Sequence, residues 1–193
     1  MFAELLRQRL GSLIELSPFQ IEQLQKHFEL MQRWNKVLNL TRIRETPEIV
    51  RRHYCESLFL GTQLPPGELS IADVGSGAGF PGIPVAILRP ECTVVLVESH
   101  QRKSVFLRQA TREMPNTRVV ATRIEDVTEN FDWAIVRAVK YTDIERPLSK
   151  LAVGVAIFGG EDSPLGHCFT WNAPVSLPWG TKHYLWLGTR SST

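Results

Sequence analysis

A chain of 193 residues with 43% hydrophobic and 22% charged residues can bury the core of one ordinary domain, which excludes a disordered chain, a collagen-like repeat and a disulfide-stapled miniprotein. No apolar stretch approaches the roughly 20 residues that span a bilayer, the first residues lack the layout of a secretory signal, and Cys55, Cys92 and Cys168 form no CxxC pair. That usage argues against a zinc site and for a reducing cytoplasm.

The net charge is +2, but residues 1–55 hold nine basic and six acidic side chains. The excess gathers in Arg33, Lys36, Arg42, Arg44, Arg51 and Arg52, a cluster that suits either phosphates or a solvated face. The first 60 residues read as helical. Ser17-Pro18 is a helix start, with a capping hydroxyl before a proline at the first helical position. Leu24, Phe28, Met31, Asn35 and Leu38 then fall on one helical face, a stripe that by itself means core packing. A second helix is predicted over Pro47–Leu60. Leu64-Pro65-Pro66-Gly67 is a breaker; it divides an N-terminal helical cap, residues 1–63, from a body, residues 64–193, expected to form one compact unit.

From Leu69 strands and helices alternate. Strands are predicted over Leu69–Val74, Thr93–Val97, Arg118–Ala121, Trp133–Val136 and Val153–Phe158, and helices over Ile83–Leu88, Arg102–Arg112 and Tyr141–Leu151. A closing strand is predicted at His183–Leu187. Branched apolar strands in this alternation predict an α/β fold, a mostly parallel sheet covered by helices on both faces.

The informative segment runs from Ile71 to Gly82, after the first strand and at the opening of a helix. A dinucleotide fingerprint wants glycine at the first, third and sixth positions, and counting from Gly75 the sixth is Phe80. The NAD pattern fails there. Asp73, Gly75, Gly77 and Gly79 instead give acid-x-Gly-x-Gly-x-Gly, which resembles the turn of class I S-adenosyl-L-methionine-dependent methyltransferases, a Rossmann-like fold. That cofactor has no pyrophosphate but does have a ribose diol, and Glu98 at the end of the second strand is placed to hold it.

Further motifs resemble one family, the glucose-inhibited division protein B family. Asn35-Lys36-Val37-Leu38-Asn39-Leu40-Thr41 is similar to its N-K-x-x-N-L-T segment, and His53-Tyr54-Cys55-Glu56-Ser57 to H-x-x-D-S with glutamate for aspartate. Asp73 through Pro84 matches D-V-G-[ST]-G-x-G-[FL]-P-G-[IL]-P. Glu98-Ser99 with Arg102-Lys103 and Phe106-Leu107, then Arg123-Ile124-Glu125 and Val136-Arg137-Ala138, complete a resemblance over about residues 20 to 160. It implies methyl transfer from S-adenosyl-L-methionine to N7 of one guanine in 16S rRNA, in the small ribosomal subunit or its assembly intermediate, by a cytoplasmic protein. A monomer is expected from size and charge, and no metal is expected.

Carried over by position, the resemblance implies cofactor contacts at Gly75, Gly77, Gly79, Phe80, Glu98, Ile124, Glu125 and Arg137. Phe80 reads equally as a core aromatic; for Glu125 the alternative is a surface acid, and its place after the third strand favours the contact. Arg137 ends an apolar strand, where ligands of open sheets bind; it suits a cofactor carboxylate, an RNA phosphate or a structural salt bridge. Asn35, Lys36, Asn39, Thr41 and His53 are candidates for the RNA side, with Asn39 and Thr41 reading equally as helix-end caps and His53 as a packed histidine rather than a base. Guanine N7 carries a lone pair and no proton, so alignment rather than acid–base chemistry is the expected contribution.

The last third departs from the family. Phe158 stands where members carry a lysine, and the helix expected between the last strands is shortened to Glu161–His167. A different substrate on the same cofactor, or RNA binding without turnover, are the alternatives these departures leave.

Overall fold

The computed structural model describes residues 1–162, 164, 166–180 and 182–191. Helix α1 (Phe2–Leu10) is followed by α2 (Pro18–Leu38), and α2 begins where the sequence places it. Gln20 N–H donates to Ser17 Oγ at 3.2 Å while Ser17 N–H donates to Gln20 Oε1 at 2.9 Å, a reciprocal cap that satisfies two donors left free by helix geometry. The helix stops at Asn39, whose φ of 46° is left-handed, a conformation asparagine tolerates.

The predicted second helix is a run of three pieces: α3 (Thr46–Ile49), a π-helical turn (Val50–Cys55) and α4 (Glu56–Gln63). The wider turn, a feature that often marks functional positions, carries His53 just before Glu56.

The body follows as β1 (Ser70–Val74), α5 (Gly82–Leu88), β2 (Thr93–Val97), α6 (Gln101–Ala110) and β3 (Thr117–Val120). After a 3-10 turn (Ile124–Asp126) come β4 (Phe131–Val136), α7 (Tyr141–Leu151) and β5 (Ala152–Gly159). The chain ends with β6 (Phe169–Trp171), β7 (Val175–Ser176) and β8 (Tyr184–Arg190). The strand order is β3-β2-β1-β4-β5-β8-β6, with β7 also on β8. Strands β1 to β5 are parallel and β8 runs antiparallel to β5. This is the expected mostly parallel α/β sheet.

One face buries Ile71, Leu96 and Ile135 in a core shared with Phe2, Leu6, Leu24, Met31 and Tyr54 of the helical segment. The other buries Ala72, Val74, Val95 and Val136 against Ile144 and Leu148 of α7. Burial on both faces is why these strands read as unbroken apolar runs. No helix among the described residues is long and apolar enough to cross a membrane.

The C-terminal third brings the corrections. Strands β6 and β7 are too short, at three and two residues, to show a period in a tail rich in proline and glycine. Of the predicted helix Glu161–His167, Ser163 and Leu165 lie outside the described residues, and 161, 162, 164, 166 and 167 are not helical. Pro164 lacks the N–H a helix needs and Gly166 favours other backbone angles.

Candidate active site

The chain leaves β1 for β2 on one side and later places β4 on the other, so a crevice opens beyond the carboxyl ends of β1 and β4. The turn after β1 lies there. Gly75, Gly77 and Gly79 have φ of 73°, 56° and 85°, values that side chains disfavour. Gly75 and Ser76 N–H both donate to Val97 O, at 2.9 and 3.2 Å, which ties the turn to the end of β2. Glu98 continues that strand, and its carboxylate accepts from Gly77 N–H at 2.9 Å and His100 N–H at 2.8 Å. Beneath the turn, burial pushes the Asp73 carboxyl up to about 7 while its Oδ2 accepts from Gly82 N–H at 3.0 Å.

The crevice is a cleft of about 810 Å³. Gly75, Gly77, Phe80 and Glu98 line one part of it, and Thr41, His53, Arg137 and Phe158 another, with Arg42, Arg52 and Lys103 also on its walls. Phe80 borders the cleft and is a core aromatic, buried with its ring stacked on His53 at 4.7 Å and edge-on to Tyr54 at 5.0 Å. His53 is a packed histidine. Its Nε2 is 2.8 Å from Thr41 Oγ1, and burial, followed by the Arg137 charge, pulls it down to about 3. It is no base near neutral pH.

Arg137 is held by Glu56, which the sequence marks only as a motif position and not as a partner. Its Nη2 donates to Glu56 Oε2 at 2.8 Å, with the side chains 11% and 1% exposed. Glu56 Oε1 lies 3.4 Å from His183 Nδ1, and the Phe158 ring sits 4.8 Å from the guanidinium carbon. An aromatic face beside a buried guanidinium is favourable, whereas the family's lysine would bring a second positive charge.

Other expected residues stand elsewhere. Asn35 is buried and clasps the backbone of Thr41 through two hydrogen bonds, at 2.9 and 3.1 Å. Asn39 is the exposed helix cap and accepts from Arg44, and Lys36 is exposed. Gly79 faces the Ile83 side chain. Ile124 is buried in the second core and Glu125 is exposed; both border a smaller cavity with Pro147 and Lys150, away from the cleft lining. The resemblance placed all of these by chain position, which does not say where a side chain points.

The contact of Glu56 with His183 and the role of His27 are not read from the sequence. An acid three residues after His53 on a helical run is a usable sign for Glu56, while His183 opens the predicted closing strand, found as β8, and a strand pattern does not name a partner. His27 donates from Nε2 to Ala78 O at 3.0 Å and accepts at Nδ1 from Tyr54 O–H at 2.9 Å, bracing the glycine turn from α2. Full burial pulls it down to about 4.

These buried groups set a pH dependence. Below their ordinary value of 6.5, His27 and His53 gain protons on unfolding that they refuse when folded, so stability falls as pH drops from 6.5. Asp73, protonated when folded below about 7 and ionised when unfolded above 3.8, acts in the opposite direction. Two groups against one leave an uptake near one proton, so urea unfolding is expected to lose about 1.4 kcal/mol between pH 6 and pH 5. A gain of stability over that range instead, the Asp73 contribution alone, would mean that the rings titrate normally.

Comparisons with known proteins bear on the same segments. The sequence model of the GidB family, described as rRNA small subunit methyltransferase G, matches residues 20–151. A ribosomal RNA small subunit methyltransferase G of Chromobacterium violaceum is 44% identical over 138 residues, 69% of this chain and 66% of that protein. That of Dichelobacter nodosus is 49% identical over 107 residues, 54% of this chain and 50% of that protein. The chain thus spans about half to two-thirds of the length of these relatives. Among solved structures, a ribosomal protein L11 methylase from Lactobacillus delbrueckii superimposes with a TM-score of 0.59 at 15% identity, over 72% of this chain and 79% of that one. A fibrillarin/Nop5p complex gives 0.57 at 16% identity, over 72% and 82%. The fold is that of the class I methyltransferases.

Proposed function

Because the chain belongs to the rRNA small subunit methyltransferase G family, we propose that it transfers a methyl group from S-adenosyl-L-methionine to N7 of a guanine in 16S rRNA. The observation that carries this reading is one cleft whose lining joins Gly75, Gly77 and Glu98 to Arg42, Arg52, Lys103 and Arg137. The first set suits the cofactor. Glu98 uses one lone pair on each oxygen for Gly77 and His100, and a carboxylate has about four, so acceptor capacity remains for a ribose diol. At Gly75 a Cβ would stand 2.8 Å from Val139 Cγ2, so glycine keeps that wall open for close backbone approach.

When bound, S-adenosyl-L-methionine supplies a sulfonium methyl that passes to the N7 lone pair, with the carbon–sulfur electrons returning to sulfur and no proton removed. The protein's task is then alignment, and no residue needs to act as a base. His53, held neutral, is consistent with that. Arg42, Arg52 and Lys103 of the cationic set suit the RNA backbone, since each neutralised phosphate releases counterions and strengthens binding at low salt. Substrate would be the small subunit or an assembly intermediate, met in the cytoplasm, with the exposed Lys36 and Arg44 of the helical cap adding to the contact.

The test is methyl transfer from labelled S-adenosyl-L-methionine to small ribosomal subunits from a strain lacking this gene, followed by digestion to nucleosides. Label in 7-methylguanosine is the expected result, at a rate that falls with added salt. Label in another nucleoside or in protein would keep the cofactor and reject the guanine.

A further inference from the structure

Two side-chain nitrogens at the cleft have no hydrogen-bond partner: His53 Nδ1 and Arg137 Nη1 are both buried and unpaired, and both residues line the cleft. Arg137 Nη1 is a donor in any state. For His53 the neighbours decide. Thr41 Oγ1 accepts from Ile43 N–H at 3.2 Å, and the acceptor within reach of its own proton is His53 Nε2 at 2.8 Å, the arrangement that uses both its donor and an acceptor site. The neutral imidazole then carries its proton on Nδ1. Both unpaired nitrogens are donors.

They are held in place. Phe80 stacks on the imidazole and Phe158 covers the guanidinium, while Glu56 fixes Arg137 Nη2. Arg137 also precedes Ala138, a non-glycine residue at φ 59°, backbone strain of the kind that persists where surroundings impose it. The charged groups acting on His53 are Arg137, Glu56 and Arg52. Since Glu56 balances Arg137, the acceptor these donors await need not be an anion, and a neutral carbonyl oxygen satisfies them.

The purines differ at that point. Beside N7, guanine carries the O6 acceptor, and adenine the N6–H₂ donor. N7 must stay free to receive the methyl group, so donors near the base serve at O6. We propose that His53 and Arg137 read the O6 carbonyl of the target purine, admitting guanine and turning adenine away. The proposal rests on the guanine-N7 reading above. An adenine amino group would meet two donors and leave all of them unpaired, a mismatch that buried polar sites reject strongly.

The experiment uses the intact protein and small subunits reconstituted with 16S rRNA carrying guanine, inosine, 2-aminopurine or 2,6-diaminopurine at the labelled position. All four keep N7; only the first two keep O6. Rates are divided by the N7 reactivity of each RNA toward dimethyl sulfate, which removes intrinsic differences in nucleophilicity. Inosine is expected within about threefold of guanine, 2-aminopurine at least about tenfold slower, and 2,6-diaminopurine about a hundredfold slower. If 2-aminopurine matches guanine, the two donors serve another acceptor, such as a cofactor carboxylate, and the proposal is wrong. If inosine fails, recognition lies at the 2-amino group instead and the proposal is again overturned. A preference for 2,6-diaminopurine would assign the opposite tautomer to His53 and overturn it too. No label on the guanine subunit would sink the guanine-N7 reading, and this inference with it.

Discussion

Replacing Glu56 with alanine is expected to lower the unfolding free energy by about 3–5 kcal/mol, because it strands the buried Arg137 charge. Glu56 is fully buried and accepts from Arg137 at 2.8 Å, and the guanidinium stays ionised at any accessible pH. Burial alone would push the Glu56 carboxyl up, but the bonds and charges of His183 and Arg137 more than offset it and leave the group below its ordinary 4.5. Its stabilisation is therefore present above the ordinary carboxylate range and is lost as pH falls through the lowered value. Urea unfolding at pH 7 checks the substitution. The double variant Glu56→Leu with Arg137→Met should recover most of the loss, since an apolar pair of similar volume is often neutral or better in such a place. A loss under about 1 kcal/mol for the alanine variant would mean that water reaches the pair. Glu56→Gln separates charge from shape, because an amide oxygen still accepts from Arg137 while the negative charge is gone.

The sequence makes the sheet legible because β1, β2, β4 and β5 are buried on both faces and so have no polar side to blur their pattern. It makes the glycine turn legible because a positive φ and close packing leave few residue types able to serve. The Glu56–Arg137 pair is not legible, since 81 residues separate the partners and only folding brings the end of β4 against α4. The same holds for His183, 127 residues from Glu56: it stands just ahead of β8, a closing strand the sequence predicts without saying what its first side chain meets. Asn35 and Asn39 show the opposite case. Their motif reads as a binding segment, yet one residue clasps a loop and the other ends a helix. Ile124 and Glu125 follow β3 as their motif predicts, but a 3-10 turn directs one into the core and the other to solvent. Chain position is read well by motifs; side-chain direction is not.

Gly75→Ala is expected to weaken S-adenosyl-L-methionine binding about a hundredfold, the scale of a 1 Å displacement in a preorganised site. Two costs act together. The residue sits at φ 73°, where a Cβ costs roughly 1–2 kcal/mol, and that Cβ would stand 2.8 Å from Val139 Cγ2. Valine is stiff about its first torsion and the preceding Ala138 is already at φ 59°, so the side chain cannot turn aside cheaply. The segment carrying Arg137 has to move. Gly67→Ala supplies the contrast: its φ is 93° with no heavy atom within 4 Å of the added carbon, so it should lose stability through strain alone and leave cofactor affinity intact. Calorimetric titration with S-adenosyl-L-methionine, paired with urea unfolding, reads both quantities on each variant. Adding Val139→Ala to Gly75→Ala removes the collision and keeps the strain, so affinity should return most of the way while stability does not. If affinity stays low in that double variant, the glycine is needed for direct approach of the cofactor to the backbone rather than for clearance of the Arg137–Val139 segment.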